Sequence, residues 1–462
     1  MQISALEGQR VAIWGFGREG QAALDSIRSR LPKLPLTLFC SEAEALGARA
    51  RLDDRLDIRT AVDEAELTRF DVVIKSPGIS PYAAPAVGAA LHGTHFIGGS
   101  ALWFAEHAAK AARGQLICVT GTKGKSTVSA LIAHLLRAAG KRTALAGNIG
   151  LPLLSLLDAS PEPAYWVVEL SSYQTGEALN PDVAVVLNLF PEHLDWHGSE
   201  ERYYADKLAL VTQALPRALV LNAGDARLRA VATAAGACTW FDNAAGWHLR
   251  ADKVYRGERQ VLDLRGLPLP GRHNGLNLCA ALAAIEALGL DAVALAAHAA
   301  SFVPLPHRLQ RLGVRDGIEY INDSISTTPH ASVAALDCFA GRRMAIIVGG
   351  FDRGLDWSVF VERIRAQPPL LVITQGQNGS RIHDRIEPMA RAGRLMLLAA
   401  EDLTDAVAKA QHVLGNDGLM LLSPGAPSFP RYTDYTERGR HFAKLAGFDS
   451  NAIGAIAGLG VA

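Results

Sequence analysis

"QLICVTGTKGKSTVSALIAHLLRAAG", residues 115–140, is the stretch whose reading decides the fold. Its opening "QLICV" is almost wholly apolar, as a strand buried on both faces of a parallel sheet requires. Gly121, Thr122, Lys123 and Gly124 then interrupt the apolar run. From Lys125 onward apolar residues return at helical spacing and stop before Gly140. A strand that turns through glycines into a helix presents free backbone N–H groups at the helix N-terminus, where they and the helix dipole attract anions. Gly121 and Gly124 let the backbone approach a phosphate closely. Lys125 can set a positive charge against terminal phosphates, and the hydroxyl of Ser126 or Thr127 can ligate Mg²⁺. The spacing departs from the general phosphate-loop pattern, because Val119 stands where that pattern has its first glycine. The competing reading is a plain strand-to-helix turn with solvated lysines.

Outward from this loop the same strand–turn–helix grammar recurs. Upstream, "RVAIWGFGREGQAALDSI" (10–27) runs from a strand through Gly15-x-Gly17-x-x-Gly20 into a helix. Strands follow in "LPLTLFC" (34–40) and "DVVIKSPGIS" (71–80), and an amphipathic helix in "GGSALWFAEHAAKAARG" (98–114) closes the segment. The glycine motif suits a dinucleotide, but the acid that NAD ribose needs is met only loosely, by Glu42. A turn holding another nucleotide diphosphate fits as well. Downstream, "AYWVVELSS" (164–172), "DVAVVLNLF" (182–190) and "RALVLN" (217–222) read as strands between helices. That segment ends in "GRHNGLNLCAALAAIEALGL" (271–290) and an Ala-rich run, 292–300, read as a helix packed through small side chains. A third set, "IEYIND", "RMAIIVGGF", "LLVITQG", "LMLLA" and "GLMLLSPG", follows residue 313. The fold class is therefore α/β, in three successive domains. These are a dinucleotide-binding-like N-terminal domain (1–113), a P-loop ATPase-like central domain (114–303) and a Rossmann-like C-terminal domain (304–462). A length of 462 residues suits about three domains.

Composition narrows the function classes. Lys+Arg and Asp+Glu both number 46, a balance that disfavours a broad nucleic-acid surface. Five scattered cysteines without a CxxC pair read as reduced thiols of a cytoplasmic protein. The N-terminus has no basic start followed by an apolar region, so no signal peptide is expected. No clean apolar run of about 18 residues marks a membrane span.

Chemistry concentrates in the middle segment. Glu169 ends a strand, and Glu192, His193 and Asp195 follow the next one. Ligands of parallel sheets bind at the carboxyl ends of strands. The glycine loop, Glu169 and His193 would then line one crevice whose oxygen ligands suit Mg²⁺. His197 is expected at the surface. Lys207, in "ERYYADKLALV", reads from its residues alone as an ordinary exposed helical lysine.

With these residues in place the chain resembles the Mur ligases, the ATP-dependent amide-forming family of peptidoglycan precursor synthesis. The resemblance rests on "TGTKGKST", "GNIG" (147–150), "ELSSYQ", "NLFPEHLDWHGSEERYYADK", "GRHNGLN", "LPHRLQ", "INDSIST", "VGGFDRG" and "LSPGAPSF…YTERG", in family order from Val11 to Phe442. "SPGIS" (76–80) is similar to the uridine-diphosphate site of the branch that adds glutamate to UDP-N-acetylmuramoyl-L-alanine. The resemblance implies a cytoplasmic, monomeric enzyme that uses ATP and Mg²⁺. ATP would phosphorylate the acceptor's carboxylate, and the amine would attack the acyl phosphate. Gly121, Thr122, Lys123, Gly124, Lys125, Ser126 and Thr127 would hold phosphates. Ser126, Glu169, His193 and Lys207 would hold the metal, with Lys125, Glu169, His193 and Lys207 as catalytic positions. Lys207 matches a lysine that the family carbamylates. His273, Asn274 and Asn277 would sit near adenine, and Arg308 and Asp323 near ribose and phosphates. Asn148 would touch the acyl substrate. Arg18, Glu19, Ser76, Pro77 and Gly78 would contact the uridine nucleotide. Thr327, Ser428, Phe429 and Tyr435 match positions that hold the amino acid.

The match loosens in the third segment. Ile325 and Arg353 stand where D-glutamate-adding members carry lysines, and Pro427, Pro430 and Arg431 are unusual in their stretch. An Arg fork grips a carboxylate with a geometry Lys does not share. The expectation is a rebuilt amino-acid pocket that takes L-glutamate, with D-glutamate as the alternative. Folylpolyglutamate synthetase, an NAD-dependent oxidoreductase and a nucleotide-gated binding module are the more distant rivals.

Overall fold

The structure, a computed structural model, describes residues 1–51, 53–235 and 238–462, the side chains of 233–235 excepted. Three sheets follow one another along the chain. The first consists of β1 (Val11–Trp14), β2 (Leu36–Phe39), β3 (Leu56–Arg59), β4 (Val72–Lys75) and β5 (His95–Ile97). Its order is β3-β2-β1-β4-β5, all parallel. The order reverses between β1 and β4, and crevices that bind ligands open at such a point.

The second sheet holds β6 (Gln115–Thr120), β7 (Thr143–Gly147), β8 (Tyr165–Glu169), β9 (Val183–Val186), β10 (Ala218–Asn222) and β11 (Cys238–Phe241). An antiparallel extension adds β12 (Trp247–Arg250), β13 (Lys253–Arg256) and β14 (Arg259–Asp263). β6 lies between β8 and β9 and is buried from Leu116 to Thr120, which explains its unbroken apolar run. Helix Lys125–Ala138 buries Val128, Leu131, Ile132, Leu135 and Leu136. Gly140, at φ +70°, lets Lys141 N–H close back on Leu136 O and ends the helix.

The third sheet has β15 (Gln310–Arg315), β16 (Ile318–Asn322), β17 (Met344–Val348), β18 (Leu371–Thr374), β19 (Met396–Ala399) and β20 (Gly418–Leu422). Its order is β15-β16-β20-β17-β18-β19, parallel except for the β15–β16 hairpin. A last strand, β21 (Gly460–Val461), pairs antiparallel with β7 at the edge of the second sheet.

By contacts the chain divides into two compact units. One comprises Met1–Gly266, His273–Phe302 and Gly458–Ala462; the other comprises Leu267–Arg272 and Val303–Ala457. A single apolar core explains why the first two sheets share a unit. Ile13, Leu102 and Trp103 belong to the same buried cluster as Leu116, Leu154 and Trp166. The Ala-rich run forms a one-turn helix, Ala292–Leu295, and then a 3-10 stretch, Ala296–Ser301, rather than one long helix.

Candidate active site

The loop after β6 is held open by its backbone. Gly121 has φ +150° and Gly124 φ +89°. A Cβ at Gly121 would lie 2.8 Å from Leu187 Cβ, and one at Gly124 would lie 2.5 Å from Asn277 Oδ1. Asn188 clamps the loop from the end of β9. Its Oδ1 accepts from Lys123 N (2.8 Å) and its Nδ2 donates to Lys123 O (3.0 Å). Thr122 Oγ1 is within 2.7 Å of Tyr203 OH and 3.0 Å of Phe190 O. Lys123 pairs with Glu192. Asn188 and Tyr203 were not singled out from the sequence, where neither carries a signal apart from the family string they lie in.

Lysines converge on one carbonyl. Lys125 Nζ donates to Gly121 O (3.0 Å) and Thr122 O (3.1 Å), and Lys207 Nζ donates to Gly121 O (3.1 Å). The expectation of an exposed Lys207 fails: it is 2 % exposed on helix Glu200–Thr212. Burial, and after it the charge of Lys125, drives its ammonium well below the usual lysine range. The charges of Glu192, Glu169 and Lys123 also reach it. Glu169 is buried at the end of β8. Its Oε1 accepts from Asn148 Nδ2 (2.8 Å), while Oε2 is buried without a partner. Thr127 Oγ1 is likewise buried and unpartnered. Ser126 sits half-buried beside it in the helix's first turn.

His193 stands exposed at φ +55°, where it starts the one-turn helix Leu194–His197 and lies 5.4 Å from the Tyr173 ring. His197, expected at the surface, is instead fully buried. Its Nδ1 is 2.6 Å from Asp206 Oδ2 and its Nε2 3.0 Å from Ser172 Oγ. An unpaired imidazole would be costly there, and these two bonds satisfy both nitrogens. Asn274 is buried on helix Arg272–Ala287, His273 is exposed on it, and Asn277 Nδ2 donates to Asn274 Oδ1 (3.2 Å).

At the carboxyl ends of the first sheet a pocket of about 250 Å³ is lined by Trp14, Gly15, Phe39, Cys40, Ser41, Glu44, Thr60, Val62 and Ile79. A Cβ at Gly15 (φ +93°) would meet Ser76 Oγ at 2.6 Å, and that hydroxyl is buried without a partner. Arg18, exposed, donates to Gly150 O (2.9 Å). Glu19 is pushed up to about 7 by burial and by Glu177. Pro77 O accepts from Trp196 Nε1, and Gly78 is exposed. The acid in the pocket is Glu44, not Glu42. It is locked in a capping box with Ser41 and accepts from Phe16 N (3.2 Å).

The second unit gathers its own polar set. Asp323 Oδ2 accepts from Ser423 Oγ (2.8 Å) and Oδ1 from Leu309 N (3.1 Å), and burial pushes its carboxyl up to about 7. Arg308 Nε is buried without a partner. Ser428 and Phe429 line a cavity of about 90 Å³ together with Gly349, Phe351, Arg431 and Arg438. Arg438, missed in the sequence, is buried, donating to Ser324 O (2.8 Å) and Ala426 O (3.0 Å). Thr327 is half-buried after β16, and Tyr435 accepts from Ser324 Oγ through its backbone carbonyl (2.8 Å). Arg353 is exposed.

Among the described residues no three His, Cys, Asp or Glu side chains converge as a metal site. The donors left free by the loop are different in kind: a buried carboxylate oxygen of Glu169 and a hydroxyl of the first helical turn. They fit a hard divalent cation.

A glycine loop opening a helix, beside a buried lysine and a carboxylate with one free oxygen, is the arrangement of a nucleotide-dependent P-loop enzyme as a class. The Mur ligase middle domain matches residues 119–285. Over 467 residues, all of both chains, 60% identity relates this chain to the UDP-N-acetylmuramoyl-L-alanine--L-glutamate ligase of Xanthomonas euvesicatoria pv. vesicatoria (strain 85-10). The ligase of the same name from Xylella fastidiosa (strain 9a5c) is 59% identical over 469 residues, again over all of both chains. In fold the chain is similar to the UDP-N-acetylmuramate-alanine ligase MurC of Thermotoga maritima. The TM-score is 0.60 at 18% identity, over 95% of this chain and 99% of that one. The chain belongs to the Mur ligase family.

Proposed function

We propose that this protein is an ATP-dependent ligase that adds L-glutamate to UDP-N-acetylmuramoyl-L-alanine in peptidoglycan precursor synthesis. The observation that carries the chemistry is the shared carbonyl of Gly121, which gathers Lys125 and a buried, readily neutral Lys207 beside the unpaired oxygen of Glu169. The full-length identity to L-glutamate ligases supports the choice of substrate. In this reading the amides that open helix Lys125–Ala138 and the Lys125 ammonium hold the phosphates of ATP, while the Thr122 and Lys123 amides donate to Asn188. His273, Asn274 and Asn277 receive the adenine, and Arg308 and Asp323 the ribose and phosphates. The pocket around Phe39 and Thr60 takes the uracil end of the acceptor, with Arg18, Glu19 and Ser76–Gly78 toward its phosphates.

The acceptor's carboxylate, steered by Asn148, attacks the γ-phosphorus and ADP leaves. The neutral glutamate amine then attacks the acyl phosphate carbon; as the tetrahedral centre collapses, the C–O bond to phosphate breaks and the nitrogen's proton leaves with the phosphate as hydrogen phosphate. Lys125 and the amides of the first helical turn oppose the charge that gathers in each step. Ser126, Glu169, His193 and Lys207 would hold Mg²⁺, which when bound screens the phosphate oxygens. A neutral Lys207 amine adds to CO₂ and releases a proton, giving an anionic carbamate suited to that ligand set. Thr327, Arg353, Ser428, Phe429 and Tyr435 hold the amino acid. Three working parts, residues 1–113, 114–303 and 304–462, then carry the acceptor, ATP and glutamate. Use of ATP and a nucleotide sugar places the reaction in the cytoplasm.

Phosphate release with UDP-N-acetylmuramoyl-L-alanine, ATP and either glutamate enantiomer tests the reading. L-Glutamate is expected to give turnover at least about tenfold above D-glutamate, a gap of about 1.4 kcal/mol in the barrier. Turnover on D-glutamate alone would replace the L-adding assignment with the D-adding one. Turnover on neither would remove both.

A further inference from the structure

We propose that Trp196 is a positioning residue that transmits occupancy of the uridine-nucleotide pocket to the phosphate-transfer centre, an inference that rests on the pocket assignment above. The segment Ser76–Ser80 follows β4, and Trp196 lies in the one-turn helix that starts at His193. Two bonds of opposite direction join them. Trp196 Nε1 donates to Pro77 O (3.0 Å), and Ser80 Oγ donates to Trp196 O (2.6 Å). Tyr82 extends the junction. Its ring meets the indole edge-on at 5.6 Å, and its hydroxyl donates to Asp206 Oδ1 (2.7 Å).

On its other side Trp196 reaches all three segments that carry the proposed chemistry. Trp196 N and His197 N both donate to His193 O, at 3.0 and 3.1 Å, so the turn fixes the backbone of His193. Tyr173, four residues beyond Glu169, stacks on the indole at 4.3 Å and 26°. Asp206, which accepts from Tyr82, precedes Lys207 and also bonds His197, whose second nitrogen meets Ser172. Through its own bonds and its ring contacts with Tyr82, Tyr173 and His197, Trp196 therefore links the nucleotide loop to the surroundings of Glu169, His193 and Lys207.

Apolar packing alone would glue these elements in place. The links here are directional: one ends on the Pro77 carbonyl and the other on the Trp196 carbonyl, and each weakens steeply with misalignment. The same loop carries the buried, unpartnered hydroxyl of Ser76. A nucleotide phosphate that engages it sets the orientation of the Pro77 peptide. The indole follows that carbonyl, and the His193 turn follows the indole. A water-sensitive acyl phosphate gains from a centre that assembles only when its acceptor is in place.

Calorimetry on the full chain, with UDP-N-acetylmuramoyl-L-alanine and a non-hydrolysable ATP analogue, tests the coupling. In the unmodified protein the acceptor is expected to tighten analogue binding about fivefold or more. Trp196→Phe keeps an aromatic ring but removes the Nε1 donor, and Ser80→Ala removes the return bond. Both are expected to cut the coupling below about twofold while the ATP analogue alone binds within about twofold of normal. In turnover, kcat falls and the KM for ATP loses its dependence on acceptor. If Trp196→Phe does not fold, Ser80→Ala carries the test. Coupling preserved in the variants, with only the melting temperature changed, would overturn the proposal and leave the pocket assignment standing. An unmodified protein that binds the acceptor without coupling does the same, whereas one that binds no uridine nucleotide ends both.

Discussion

Burial sets the chemistry of single residues in this protein. The Lys207 ammonium lies well below the usual lysine range because it is out of water and shares a carbonyl with another ammonium, not because of its neighbours in sequence. Glu177 shows the opposite case. Its carboxyl fills the space at Gly98, where helix Gly99–Ala109 starts. Burial pushes it from 4.5 to about 7 against the pull of Lys75. Between about pH 4.5 and 7 the unfolded chain has released this proton and the folded chain has kept it, so the stability it contributes is lost as pH rises through that window. Glu177→Gln removes the titration. The melting temperature of the unmodified protein minus that of the variant should fall between about pH 5 and 7 and stay level above about pH 8. A difference that does not change with pH would contradict the burial argument.

Elements explain why the loop at Gly121–Gly124 needs its glycines. Gly124 closes the loop at φ +89° against Asn277, on helix Arg272–Ala287. Gly124→Ala adds about 1–2 kcal/mol of left-handed backbone strain and forces Asn277 aside. ATP-analogue affinity measured by calorimetry should drop about tenfold or more, equivalent to about 1.4 kcal/mol, with secondary structure retained. The strands and helices that build this site are readable in the sequence. β6, β8 and β9 are strands of four to six residues, each built on an apolar run of at least four, and Gly121 ends the first of them at the candidate site. The β12–β14 extension is another matter. "WHLRADKVYRGERQVLD" mixes charge and apolar residues, and its burial does not alternate: Trp247, His248 and Leu249 are buried in succession while β14 has no buried residue, so period-two patterning is weak over strands of four or five residues.

At the scale of the molecule the chain's end matters. Gly458–Ala462 return to the first unit, where β21 completes the edge of the second sheet. Thr143 N donates to Ala462 O (2.8 Å), and Ala462 N to Thr143 O (3.1 Å). Arg137 donates to Gly458 O (2.6 Å) and Gly460 O (3.0 Å). Deleting these five residues strips β7 of its edge partner and leaves a half-buried guanidinium short of two acceptors. At about 0.5–1.5 kcal/mol for each of these four lost bonds, the first unit should lose about 2–6 kcal/mol, read as an earlier melting transition. An unchanged transition would mean that the tail contributes nothing to the sheet.

By itself the sequence determined the α/β class, the glycine loop between β6 and its helix, and the family. Each is carried by local patterns: unbroken apolar runs, glycines at fixed offsets and strings such as "ELSSYQ". Only the tertiary structure decided which residues lie in the dark. It buried His197 and Lys207, put Glu44 in place of Glu42 in the first pocket, and set Trp196 between the nucleotide loop and the His193 turn. The physical reason is that burial and pairing arise between elements distant in sequence, as with Gly121 and Lys207, Pro77 and Trp196, or Thr143 and Ala462. A side chain's charge state follows the company that folding gives it, and no local spacing records that company.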